Sequence, residues 1–253
     1  FATGGCAVVS KQIGEGKTEE AQRNFTLIVL AALVLNLVIA LPSLFFITPI
    51  CRLLGADDTL LPYCEEYLRI LLFFSPFSVL QLLFQTFFVT AGRPGLGLSL
   101  TIAAGLSNMV LDYVFIVPLG MGISGAAYAT GIGYCIPAIG GLLFFLCNKK
   151  GLHFLKPAFS GRIIGQSCFN GSSEMVTNLS ASVTTFLFNI FMMRLAGADG
   201  VSAITVILYC QFLMTSLFMG FSLGVAPVIS FHYGADNKPY LQKLWKMCLK
   251  FIL

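Results

Sequence analysis

A chain of 253 residues with 57% hydrophobic and 10% charged side chains, a net charge of +4 and a mean hydropathy of +0.87 has too little polar surface for a soluble globule of this size. The basic residues sit in short segments between apolar runs, which argues for a membrane and against nucleic acid as a partner. Eight cysteines and two histidines, His153 and His232, show no CxxC or Cys/His spacing, so neither a metal nor a cofactor site is expected.

Crossing the hydrocarbon core takes about 20 apolar residues. The chain opens on an apolar tail, Phe1 to Ser10, and a charged turn, Lys11 to Asn24. Full-length runs follow at Phe25 to Phe46, Ile70 to Ala91, Leu96 to Pro118 and Gly122 to Cys147. A basic connector, Asn148 to Arg162, leads to Met175 to Met193 and Ala203 to Ser230, and another span is expected from Met247. Assigning the loops alternately to two faces puts Lys11, Lys17, Arg23, Arg93, Lys149, Lys150, Lys156, Arg162, Lys238, Lys243, Lys246 and Lys250 on one side. The other side keeps only Arg52, Arg69 and Arg194. The positive-inside rule makes the richer face cytoplasmic.

The opening stretch recurs. Phe1, Gly4, Val8, Ser10, Gly14 and Gln22 reappear 220 residues later as Phe221, Gly224, Val228, Ser230, Gly234 and Gln242. Six further spans separate the two copies, and an even number restores orientation, so the halves are parallel copies related by an axis along the membrane normal. The expectation is an all-α polytopic membrane protein of two lobes and about twelve spans. Six complete and two partial spans lie in this chain, with roughly one span before Phe1 and four after Leu253. The N-terminal lobe takes 1–147, the cytoplasmic connector 148–162 and the start of the C-terminal lobe 163–253.

Polar residues inside the spans are the candidate pathway, because in lipid they must face protein or water. In the span after the connector, Asn170, Glu174, Asn178, Ser182, Thr185 and Asn189 recur at helical intervals and form one stripe. The stripe either lines a cavity or bonds neighbouring helices, with Glu174 complementing a positive helix N-terminus at the cytoplasmic edge. Asn108 and Asp112 lie one turn apart, with Asp112 about 22 Å from the cytoplasmic start of its helix. Asp112 lies in the outer half, inside the lobe or capping near Pro118. Gln81 and Gln85 share a face with Phe77 in the preceding span, for substrate contact or interhelical bonding. Gly125, Ala129, Gly133, Pro137 and Gly141 form a small-residue face suited to close helix packing, and Pro76, Pro137 and Pro227 lie inside spans. No GxSxG, HExxH, P-loop or paired-carboxylate motif occurs, so no enzyme is expected.

Five pieces carry a family resemblance: Gly4-Gly5 with Ser10, Gly14, Gly16 and Ala21; AGRPGLG around Arg93; GMGISGAAYATGIG from Gly120; GADGVSA from Gly197; and GVAPVISFHYGA from Gly224. In order and spacing they resemble a multidrug and toxic compound extrusion (MATE) transporter of the bacterial multidrug-resistance type. The resemblance implies twelve helices in two six-helix lobes, a multi-pass protein of the bacterial cytoplasmic membrane, and export of cationic lipophilic compounds in exchange for sodium ions or protons. A monomer is expected. The first helix of the N-terminal lobe, which bears a coupling acid in many prokaryotic members, is outside this chain. A coupling glutamate of the seventh helix would fall near Ser182, deeper than Glu174. A lipid-linked oligosaccharide flippase of the same fold group would line its cavity with cations, for which only Arg69 is a candidate on the outer side. A seven-helix receptor would need no repeat.

Single cysteines at Lys17, Asp57, Lys150 and Asp199, in the full-length protein freed of native cysteine, test the topology. Asp57 and Asp199 are expected to react with an impermeant reagent outside intact cells and Lys17 and Lys150 only after permeabilisation; external labelling of Lys150 would overturn it.

Overall fold

The computed structural model describes residues 1–54, 56, 58–148 and 151–252, side chains at 198, 199, 251 and 252 apart. Lys149, Lys150 and Asp57, which the sequence places in loops, lie outside the described residues. Every element is a helix: α1 (Ala2–Gly14), α2 (Thr18–Phe45), α3 (Ile47–Leu53), α4 (Leu61–Thr90), α5 (Pro94–Ile116), α6 (Gly122–Cys147), α7 (Gly161–Gly234) and α8 (Lys238–Ile252). Among the described residues six stretches are long and apolar enough to cross a membrane, and a helix is what such a run must become where no water can bond the backbone. This supports the expected multi-pass helical class.

Several boundaries differ from the sequence reading, each for a physical reason. The charged turn is mostly helical: α1 runs to Gly14 and α2 begins at Thr18, where Glu19 and Glu20 complement the helix N-terminus and Arg23 pairs with Glu19 at 2.6 Å. Between them Lys17 donates to Glu15 at 2.8 Å and holds its carboxyl below the usual range. The helix expected from Ile70 starts at Leu61, because Glu65, Glu66 and Arg69 depress hydropathy without breaking a helix. Likewise α7 begins at Gly161, well before Met175. The short helix α3 has no counterpart in the sequence reading, and the helix expected from Met247 already begins at Lys238.

The two ends of α7 both touch α1: Gly171 lies against Gly4, and Phe231 lies against Gly14. Those α7 residues are separated by about 90 Å of helix rise, whereas α1 is only about 20 Å long. The helix must therefore fold back on itself. It does so at Gly197 (φ 61, ψ −148), a conformation open essentially to glycine alone, which divides α7 into arms Gly161–Gly197 and Gly200–Gly234.

The remaining helices pack through aromatic and small residues. Phe25 of α2 meets Phe87 of α4 and Phe145 of α6 at ring-centroid distances of 4.7 and 4.8 Å. Phe154 of the connector stacks on Phe25 at 4.9 Å. The connector is further tied down by Gln22 Nε2 donating to the Gly151 carbonyl at 2.6 Å and by Leu155 N–H donating to Thr26 Oγ1 at 3.1 Å. The small-residue face of α6 is buried as expected. Gly125 lies against Phe115 of α5, and Gly141 lies against the Phe84 ring of α4.

The repeat is visible in the backbone. Helices end at Gly14 and Gly234 and restart at Thr18 and Lys238, the same offset of 220. Each intervening turn has its left-handed residue at the matching place, Gly16 (φ 81) and Asp236 (φ 49). Each also carries the same closing bonds: Lys17 N–H to Gln12 O at 2.9 Å, and Asn237 N–H to His232 O at 3.0 Å. The two copies then meet reciprocally. A Cβ on Gly14 would overlap the Phe231 carbonyl oxygen, and one on Gly234 would overlap the carbonyl of Lys11, the residue equivalent to Phe231. Such an exchange is what a two-fold contact requires.

Leucine at Gly14 or at Gly234 is expected to push α1 off α7 at an overpacking cost of about 1–3 kcal/mol. In the full-length protein this should lower the midpoint of thermal unfolding in detergent. Gly95→Leu, at a position with open space around it, should leave it in place.

Candidate functional site

A cleft of about 250 Å³ opens where α1, α4, α5 and both arms of α7 converge. Its walls are apolar, with Leu82, Val89, Leu98 and Leu223 among them, and its polar members are Thr3, Gln85, Thr86, Thr101 and Glu174. Thr86 is buried and donates to Leu83 O at 2.8 Å, so its hydroxyl proton is used within its own helix. Gln85 Nε2 donates to Thr101 Oγ1 at 3.0 Å, and that hydroxyl donates to Gly97 O at 2.9 Å. Glu174 is half-buried, and among the described residues its carboxylate has neither an ion pair nor a hydrogen bond. An acid without a counter-ion in an apolar cleft attracts a cation.

A second cavity, of about 330 Å³, lies between α4, α5 and α6 and is lined by Gln81, Thr101, Ala104, Asn108, Thr130 and Tyr134 among others. Asn108 Nδ2 donates to Thr130 Oγ1 at 3.5 Å, while Gln81 Oε1 is buried without a partner among the described residues. Asp112 follows Asn108 by one turn; it is half-buried, and its Oδ1 is buried and has no partner among the described residues. Thr101 lines both cavities. Neither it nor Thr130 drew notice in the sequence, because a lone hydroxyl in an apolar run is ordinary. The available signal was that Thr101, Asn108 and Asp112 are seven and four residues apart, hence on one face of α5.

The structure thus brings Glu174 together with Gln85, and Gln81 together with Asn108. The rest of the stripe is distributed. Asn170 lines a wide polar vestibule of about 1010 Å³, together with Lys11, Glu15, Lys17, Glu20 and Arg162. Between Asn170 and Glu174, α1 crosses the stripe: a Cβ on Gly4 would overlap Ser167 O, and Gly171 packs on the Gly4 backbone. Asn178 and Ser182 are exposed, and Ser182 Oγ donates back to Asn178 O at 3.0 Å. Asn189 is half-buried, and its Oδ1 has no partner among the described residues. Beneath the cleft Thr90 Oγ1 meets Ser10 Oγ and Cys6 Sγ, each at 2.9 Å, tying α4 to α1. Both histidines sit on the turn-rich side, where His232 stacks on Tyr240 at 3.8 Å. No group of three or more potential metal ligands occurs among the described residues.

With α1 lying between vestibule and cleft, a cysteine replacing Glu174 should react slowly with a water-soluble reagent applied from the vestibule side. Adding Gly4→Leu, whose first side-chain carbon would overlap Ser167 O and so displace α1, is expected to accelerate that labelling, whereas a cysteine at Asn170 should react readily with or without it.

The MatE family model matches residues 1–114 and 175–253. The multidrug export protein MepA of Staphylococcus haemolyticus is 24% identical over 251 residues, covering 98% of this chain and 55% of that protein. Among solved structures, the outward-facing conformation of a multidrug resistance MATE family transporter of the MOP superfamily superposes with a TM-score of 0.90 at 22% identity. A MATE crystal structure in the bent conformation gives 0.87 at 22%. Each covers 99% of this chain and 56% of the solved one. The chain spans about half the length of the curated relatives it matches.

Proposed function

This chain belongs to the MatE family, and from that premise we propose that the full-length protein is a secondary antiporter exporting cationic, lipophilic compounds in exchange for sodium ions or protons. The observation that carries the reading is the unpaired Glu174 carboxylate in an apolar cleft, bounded by helices from both copies of the repeat. Leucine and valine side chains take up the hydrophobic body of a drug, and the acid selects its positive charge. A carrier must release what it binds, and a half-buried acid without a fixed partner among the described residues attracts a cation without trapping it.

The ion path falls to the second cavity. Gln81 and Asn108 offer neutral oxygens, and Asp112 is the one acid of α5, with a buried carboxyl oxygen that lacks a donor. Such an oxygen suits a proton or a sodium ion. Because Thr101 belongs to both cavities, occupancy of one reaches the other through a single side chain. Asn178, Ser182 and Asn189 continue the cation path along the first arm of α7 as alternating access exposes it. The helices before the connector form one lobe and α7 and α8 open the second, in a monomer of the bacterial cytoplasmic membrane. The relatives named as multidrug export proteins support this reading.

Two substitutions in the full-length protein, reconstituted in liposomes, test it. Glu174→Gln is expected to weaken export of cationic drugs more than of neutral ones. Asp112→Asn should reduce efflux and flatten its dependence on the gradient of whichever ion, proton or sodium, drives transport. Unchanged efflux of cations in Glu174→Gln would remove the acid from the pathway; unchanged ion dependence in Asp112→Asn would make that residue structural.

A further inference from the structure

We infer that Thr101 is a positioning residue that fixes which end of the Gln85 amide faces the cleft, and that the cleft thereby favours organic cations carrying N–H groups over quaternary ones. The inference rests on the antiporter reading and names the substrate chemistry of its cleft.

A threonine hydroxyl has one proton and two lone pairs. In Thr101 the proton goes to the carbonyl of Gly97, one turn back, at 2.9 Å. Only lone pairs remain for the contact with Gln85 at 3.0 Å, so Gln85 must supply the donor, which its Nε2 does and its Oε1 cannot. The flip of an amide is decided by its hydrogen-bond network, and here one back-bonded hydroxyl decides it. Oε1 is then left over; among the described residues it has no partner, and Gln85 lines the cleft.

With the NH₂ end of Gln85, its second N–H included, held on the Thr101 side, the inferred orientation turns the carbonyl oxygen to the cleft beside the Glu174 carboxylate, so that both are acceptors. Thr86 has its proton committed to Leu83 O, so Thr3 is the lining side chain with a hydroxyl proton to spare. A protonated amine or an amidinium answers both acceptors with N–H donors. A quaternary ammonium satisfies the charge but leaves the Gln85 oxygen without a donor, and a site built around a hydrogen bond discriminates against the ligand that lacks it. Without the Thr101 hydroxyl the amide rotates freely, its NH₂ can face the cleft, and a donor there repels the N–H groups of the same ligand.

The test uses the full-length protein in liposomes and an aromatic dye supplied as its primary ammonium salt and as the N,N,N-trimethyl counterpart. Wild type should transport the N–H form in preference, and Thr101→Val should cut that preference by roughly threefold to tenfold, the worth of one net hydrogen bond. Thr101→Ser keeps the hydroxyl and should keep the preference, and Thr101→Ala stands in if the valine variant does not fold. In a Gln85→Met background, Thr101→Val should produce no further change, because the threonine acts through the amide. The inference is overturned if valine and alanine leave the preference intact, if serine loses as much as valine, or if the threonine substitution still shifts it without Gln85. Failure of wild type to transport either dye would instead overturn the antiporter reading and this inference with it.

Discussion

The close approach of α1 to α7 is the constraint on which the rest of the arrangement depends. Glycines at positions 4, 14 and 234 let two helix backbones meet where any side chain would hold them apart, and Gly171 packs beside Gly4. In a membrane there is little hydrophobic drive between helices, so such contact is what joins them. Because Gly14 and Gly234 are the same residue of a repeated unit, one sequence element supplies both halves of the crossing. Lys11 completes the seam from above: its ammonium lies 5.5 Å from the centre of the Tyr233 ring.

From that seam the positions of the polar groups follow. The crossing divides the first arm of α7 between a wide, charged vestibule, on which Asn170 opens, and a smaller apolar cleft, on which Glu174 opens. It also brings α4 beside α7, with α5 across the same cleft, which is why Gln85 and Thr101 line a cleft with an acid that is remote in sequence. The small face of α6 has the corresponding effect on the other side. Gly133 allows α5 close enough that an added Cβ would be in ordinary contact, 3.6 Å, with both Ala104 O and Asn108 Cβ. Thr130 is thereby within reach of the Asn108 amide.

How much of this could be read from the sequence depends on the range of the interaction. Periodicity within one helix is local, so the stripe from Asn170 to Asn189, the small face of α6 and the recurrence at an offset of 220 are all visible in the residues. Hydropathy marks where a helix meets lipid and not where it ends, which is why α2, α4 and α7 begin earlier than their apolar runs. Which side of a stripe meets which neighbour is a non-local fact. Nothing in the spacing of Glu174 says that Gln85 shares its cleft while Gln81, one turn away, belongs to another cavity. Thr101 was invisible for a related reason: its importance comes from a bond to one helix and a place in two cavities, neither of which has a signature in composition.

The two kinds of packing differ in what they allow. The cluster of Phe25, Phe84, Phe87, Phe88 and Phe145 is fully enclosed, interlocks rings from three helices and resists any relative displacement, since sliding one ring disturbs several. The seam between α1 and α7 is flat backbone on backbone, without an ion pair across Gly14 or Gly234 among the described residues. The interlocked rings thus join α2, α4 and α6, and the backbone contact joins α1 to α7.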